Sequence, residues 1–161
     1  RRQRQMCIRD SIISSALLVF LLTIIFTNEI DQLTHSKNDV REDLKFAQII
    51  LNEDFEILEN EVYGMPERFQ ETRIENSTSD LNKLIEEIKS DPKYHHSEQE
   101  QILRDEMYSN PKKNSIVTAS YQCRDYVIRE SYFKEDEYVA SLFIVRLKEN
   151  QNILEYERIE D

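Results

Sequence analysis

Tyr138 to Leu147 reads YVASLFIVRL, a stretch that is apolar on both faces an extended chain presents. Successive side chains of a strand point to opposite sides of a sheet, so a strand apolar on both sides belongs in a sheet's interior. From Ser115 onward the surrounding chain is rich in β-branched and aromatic residues, the composition of strands. We expect strands near 115–123, 126–133, 138–147 and 152–159. Polar turns such as Lys134-Glu135-Asp136-Glu137 and Glu149-Asn150-Gln151-Asn152 would join them. The last strand sets Leu154, Tyr156 and Arg158 against Ile153, Glu155, Glu157 and Ile159, which suits an edge guarded by acids. Few turn formers separate the first two, which leaves a helix over 120–131 as the alternative there.

Moving outward, two short helices precede the strands. Ser79 to Lys89 places Leu81, Leu84, Ile85 and Ile88 on one face, with Asp91-Pro92 as its stop. Ser97 and Glu100 have capping-box spacing, and the helix they would open carries Ile102, Leu103 and Met107 as far as Asn110-Pro111.

Residues 28–62 hold no Gly or Pro and read as one long helix. Apolar residues fall at Ile30, Leu33, Val40, Leu44, Ala47, Leu51, Leu58 and Val62, at spacings that alternate between three and four once Lys37 fills one seam position and Asp54 or Phe55 another. Such a pattern suits a coiled coil, with a dimer seam of Ile30, Leu33, Val40, Leu44, Leu51 and Leu58. An amphipathic helix packed on its own domain shows a similar period. Gly64-Met65-Pro66 would end it, Gly as a left-handed cap and Pro forbidding continuation.

Ile12 to Phe26 is an uncharged apolar run broken only by Ser14, Ser15 and Thr23. We read residues 11–27 as a single membrane-spanning anchor in contact with lipid, at the short end of the length required. No small-residue cleavage pattern follows it. The flank Asn28-Glu29-Ile30-Asp31 carries no basic residue, the first being Lys37; basic residues hold a flank inside, so we expect residues 28–161 to lie outside the cytoplasm. The first ten residues, RRQRQMCIRD, translate a transposase sequencing adapter codon for codon (CGT CGG CAG CGT CAG ATG TGT ATA AGA GAC). Its trailing AG permits only Ser or Arg next, and residue 11 is Ser. We set residues 1–10 aside as an artefact, and with them Cys7, Met6 and the basic flank.

Without Arg1, Arg2, Arg4, Arg9 and Asp10, the totals of 21 basic and 32 acidic residues become 17 and 31, a net charge of −14. Such a surface repels phosphate backbones, so no nucleic-acid partner is expected. Gly64 is the sole glycine, which excludes phosphate-binding loops, dinucleotide fingerprints and nucleophile elbows.

Chemistry-bearing candidates are few. His95-His96 with Asp91, Glu98 and Glu100 forms the one cluster resembling metal ligands, but its spacing matches no zinc pattern. The pairs Glu53/Asp54, Glu59/Glu61 and Glu86/Glu87 fall on exposed helix faces in this reading, without the cleft an acid–base pair requires. Asp80 favours a helix dipole, and Cys123 reads as a buried inert thiol. Asn76-Ser77-Thr78 fits a glycosylation acceptor. Tyr121, Tyr126, Tyr132, Tyr138, Tyr156, Phe133 and Phe143 crowd the strands, either as packing against helices or as a partner surface. We expect no catalytic residue, cofactor or metal.

The fold class is therefore α+β. Residues 1–10 are artefact, 11–27 a transmembrane helix, 28–63 a juxtamembrane coiled-coil-like helix, 64–114 a helical connector of two short helices, and 115–161 a four-stranded antiparallel sheet. In outline this order resembles bitopic inner-membrane assembly proteins of bacterial secretion and pilus machines, in which a span and coiled coil present a small ferredoxin-like domain. The resemblance implies a non-enzymatic, membrane-anchored interaction or assembly protein, self-associating or holding a partner protein through its coiled coil. The alternative is an extracytoplasmic sensor portion of a longer signalling receptor, with a hydrolytic enzyme as third reading.

Overall fold

The structure, a computed structural model, describes residues 15, 17–20, 22, 34–64, 67–109, 115–134 and 140–160. His35–Asp161 form one compact unit. Its elements run α1 (Lys37–Phe46), β1 (Glu56–Tyr63), β2 (Arg68–Glu75), α2 (Thr78–Lys89), β3 (His95–His96), α3 (Arg104–Ser109), β4 (Ile116–Cys123), β5 (Tyr126–Lys134), β6 (Ala140–Leu147) and β7 (Ile153–Glu160). The seven strands make a single sheet in the order β1-β2-β7-β6-β5-β4-β3, antiparallel except where β3 runs parallel to β4.

β6 is the middle strand, and its doubly apolar sequence builds a core on each face. Phe143, Val145 and Leu147 point to one side, with Val127, Leu154, Tyr156 and Ile74, beneath α1 and α2. Leu142 and Ile144 point to the other, with Ile128, Tyr132, Tyr121 and Ile159, beneath Leu103 and Met107 of the α3 segment. At roughly 1.5–3 kcal/mol per fully buried aliphatic side chain, these two clusters are what hold the layers together.

Four of the strands lie where the composition after Ser115 places them, but the sheet is not four-stranded. The long coiled-coil helix over 28–63 does not form among the described residues. Ser36 opens α1 with a capping box, its hydroxyl accepting from the Asp39 N–H while the Asp39 carboxylate accepts from Ser36 N–H. The helix ends after ten residues at Ala47 and Gln48, the latter left-handed at φ 56°. Residues 56–63 then run as a strand. The period of three and four seen in Val40, Leu44 and Ala47 is that of a short helix buried on its own domain, as the burial of all three shows.

Gly64 turns a hairpin instead of capping a helix. Its φ is 96°, and a Cβ there would lie 2.5 Å from the Glu67 carbonyl oxygen and 2.7 Å from the Phe69 ring. That hairpin delivers β2 alongside β7, so the strand expected at an edge is interior and its acids face basic partners. Glu155 pairs in register with Arg73 and Arg146, and Glu157 meets Arg146 at 2.9 Å.

The expected capping box at Ser97 and Glu100 also does not open a helix. Ser97 bonds Gln99 instead, and α3 starts only at Arg104. The helical alternative over 120–131 is replaced by a tight β4–β5 turn, with Arg124 left-handed at φ 54°. The membrane anchor over 11–27, and the membrane localisation resting on it, are corrected as well. Among the described residues no helix is long and apolar enough to cross a membrane. Most of that run, Ile30 and Leu33 of the seam, and residues 1–10 lie outside the described residues.

Candidate functional site

Three polar arrangements stand out from the two apolar cores, and each is built by strand register. The first lies between α1 and the sheet. Thr72 on β2 is opposite Tyr156 on β7, and Arg158 follows on the same face. α1 lowers Asp43 onto this face because Val40 and Ala47, about one turn either side, are drawn into the core. The Tyr156 hydroxyl donates to Asp43 Oδ2 at 3.1 Å, and Arg158 NH1 donates to Asp43 Oδ1 at 3.1 Å. His35 Nε2 lies 2.7 Å from the Tyr156 oxygen. With the Tyr156 proton committed to Asp43, that contact calls for the Nε2-protonated tautomer of His35. Burial pushes the Asp43 carboxyl up to about 6, against the pull of Arg158 and Tyr156. Burial and the adjacent Asp43 charge likewise raise the Tyr156 phenol.

The second arrangement is on the opposite face. Glu130 shares the parity of Ile128 and Tyr132 along β5 and is fully buried. Its carboxylate accepts from Ile102 N–H at 3.3 Å, from Leu103 N–H at 3.0 Å and from the Tyr121 hydroxyl. Burial raises its pKa, and those donors moderate the rise. Glu130 thus does for the turn leading into α3 what a capping side chain does for a helix end, satisfying backbone N–H groups that would otherwise be free. The arrangement fixes a loop: its acceptors are consumed by protein donors.

The third lies on that same face, toward β1. Glu61, Glu71 and Glu157 sit side by side across β1, β2 and β7. One residue row away, Glu59, Arg73, Glu155 and Arg146 alternate in sign, with Arg73 3.4 Å from Glu59 and 3.3 Å from Glu155. Glu157 has Arg146 as cation and Glu71 accepts from the Tyr63 hydroxyl. The hydrogen bond to Glu71 first, then burial, then the charges of Glu71, Glu157 and Glu61 hold the Tyr63 phenol well above its ordinary value. β1 is the last strand of the sheet. Leu58 and Tyr63 on it are about half exposed.

The residues singled out from sequence are dispersed. Of the seam, Val40 and Leu44 are buried in the domain's own core, Leu51 packs at its margin, and Leu58 lies exposed on β1. His95 and His96 form β3, both exposed, and His95 Nδ1 contacts the Lys93 carbonyl at 3.0 Å. Asp91 turns away to Ser120 at 2.9 Å, and among the described residues no group of His, Cys, Asp and Glu is disposed to hold a metal. Glu59 and Glu61 are on a strand; Glu86 and Glu87 are exposed on α2, and Glu53 and Asp54 are exposed in the loop between α1 and β1. Asp80 is buried, and burial acts to raise it. The Glu53 and Asn52 N–H groups and the Asn52 and Asn76 side chains outweigh that and hold it below its ordinary value. Asn76 spends its side chain on Asp80 and on the Ser77 N–H and is buried, so it is closed to glycosylation in the folded chain. Cys123 is buried.

Sequence reasoning missed Asp43, Glu130 and Arg146. The one available signal was parity: an acid at Glu130 occupies a position whose neighbours two residues away, Ile128 and Tyr132, are core residues.

Two depressions mark the surface of the described residues. A cleft of about 60 Å³ is lined by Arg41, Leu44, Lys45, Ile49, Ile50 and Leu51. A more open one of about 360 Å³ lies at Gln122, Asp125, Val127, Lys148, Glu149 and Asn150. The first has room for little more than one small side chain, against the several hundred Å³ of a typical metabolite site.

Fold and site together define a three-layer α/β protein with one mixed seven-stranded sheet and an acidic strand at one end. Comparison with protein-family models, curated proteins and solved structures gave no match.

Proposed function

We propose that this chain is a non-enzymatic interaction protein that holds a partner protein at the β1 end of its sheet. The observation that supports the reading most is the third arrangement above. Among the described residues β1, eight residues long, has a strand neighbour on one side only, so its outer edge carries a row of backbone donors and acceptors. Such an edge is a template for another chain. The exposed Leu58 and Tyr63 add apolar surface to it. The buried acids support the same reading, because Asp43, Glu130 and Asp80 each spend their oxygens on named protein donors.

Photo-crosslinking tests this in cells that express the protein. A crosslinker placed at Leu58 or Tyr63 is expected to capture one discrete partner, while a crosslinker at Glu86 on the outer face of α2 captures none. Turnover of an ester, phosphoester, glycoside or peptide substrate that is lost in Asp43→Asn or Glu130→Gln would overturn the reading.

A further inference from the structure

Resting on that interaction reading, the geometry points to a specific occupant: we propose that β1 takes an extended, basic segment of a partner protein as an eighth strand, with a Lys or Arg side chain lying back across Glu61 and Glu71.

Two independent features carry this. The first is the backbone edge, which fixes the shape of the partner as an extended chain. The second is where the carboxylates lie. An edge strand is commonly protected by its own charges, and Glu56, Glu59 and Glu61 would suffice for that. Glu71 is different, because it is on β2, one strand in, directly opposite Glu61 and followed in register by Glu157. Like charges directly opposite one another on a sheet cost stability, and protection of the edge does not require that cost. Arg146 compensates Glu157, and the next row is compensated by Arg73. The Glu61–Glu71 pair is left with two exposed carboxylates and the Tyr63 hydroxyl donating to one of them.

Strands stand roughly 4.8 Å apart, so a residue on an eighth strand beside Glu61 has Glu71 two strand spacings away. That is within reach of a Lys or Arg side chain lying flat on the sheet. The Tyr63 ring, stacked on Phe69 at 5.5 Å, offers an aromatic face to the same cation. A second copy of this chain does not fit the edge. Antiparallel pairing of β1 with itself would bring Glu56, Glu59 and Glu61 of each copy together with no basic residue on the strand to compensate.

The test uses the full chain and a short synthetic peptide alternating Lys with Thr, followed by amide chemical shifts of the protein. Binding should shift the amides of Glu56–Tyr63 and weaken as salt rises. Replacing both carboxylates, Glu61→Gln with Glu71→Gln, should weaken it on the order of tenfold or more. Replacing Glu86→Gln with Glu87→Gln, which removes the same charge from α2, should leave it unchanged. The same peptide N-methylated at alternate residues keeps its charge but loses a row of donors, and is expected not to bind. Equal binding of the methylated peptide, or equal loss from the two double variants, overturns the proposal. If the basic peptide fails while Leu58 still crosslinks a discrete partner, this proposal falls and the interaction reading stands. Loss of both removes both.

Discussion

Asp43 and Glu130 present the same difficulty on opposite faces of one sheet, and the chain meets it in two ways. Both carboxyls are buried, and burial raises both. Asp43 is given a cation, Arg158, together with the Tyr156 hydroxyl. Glu130 has no cation among its named donors; it has two backbone N–H groups and the Tyr121 hydroxyl. The difference follows from what each holds. Asp43 ties a helix that already has its own cap at Ser36, so it has only to register α1 against β7. Glu130 ties a segment whose local cap does not form, so its oxygens must serve the free N–H groups themselves. A buried acid that replaces a cap is harder to remove than one that pairs with a side chain, because its loss orphans backbone donors that cannot turn away.

Breaking the Glu130 side should therefore have the largest effect. Glu130→Ala strands two N–H groups and a hydroxyl, and a loss of about 4 kcal/mol is expected by denaturant titration. Less than about 1 kcal/mol would show that water readily replaces the carboxylate.

Asp43 is best probed through pH. Its carboxyl ionises near its ordinary 3.8 in the unfolded chain and at about 6 in the folded one. Between those values the folded chain binds the proton more tightly, so this group's contribution is complete below pH 3.8 and lost as pH rises through about 6. The shift corresponds to about 3 kcal/mol over that window. Asp43→Asn should flatten that part of the stability profile, measured by denaturant titration from acid to neutral pH. Asp39, Glu160 and His35, the other titratable groups beside Asp43, remain in the variant, as does Glu130, whose carboxyl burial also raises, and these contribute the residual slope.

Smaller changes sharpen the comparison. Tyr121→Phe removes one donor from Glu130 while leaving the backbone pair, for an expected loss of about 1.5 kcal/mol. Ser36→Ala removes the α1 cap at about 1 kcal/mol, and leaves α3 untouched because the turn leading into it is held at Ile102 and Leu103 from β5. Hydrogen exchange resolved by residue distinguishes the two, since only Tyr121→Phe should speed exchange at Ile102 and Leu103.

How far the chain could be read depends on how local the decisive forces are. β6 was legible because doubly apolar strands are interior whatever their neighbours do, and its flanking strands follow from composition and turn residues. The stretch from Phe55 to Tyr63 was not. Ile57, Val62 and Tyr63 favour strands, but Leu51 and Leu58 also continue a seven-residue spacing from Leu44. Only pairing with β2, itself positioned by β7, decides between them. The same non-local pairing hid the acidic edge, since Glu59, Glu61, Glu71 and Glu157 become neighbours through register and not through spacing. β7 was misplaced for a related reason: its acids looked unpaired until Arg73 and Arg146 were brought beside them. Glu130 replaced a cap that Ser97 and Glu100 were spaced to form, and nothing near residue 100 announces it.

The central claim is that residues 56–75 are a hairpin annealed to β7, with β1 outermost and its acids aligned across the sheet. Backbone NMR of the intact chain tests it most directly. We predict extended secondary shifts over Glu56–Tyr63 and cross-strand contacts joining Asn60 to Thr72 and Thr72 to Tyr156. Helical shifts through residues 56–63, or contacts joining Tyr156 to any strand other than β2 and β6, would contradict the account.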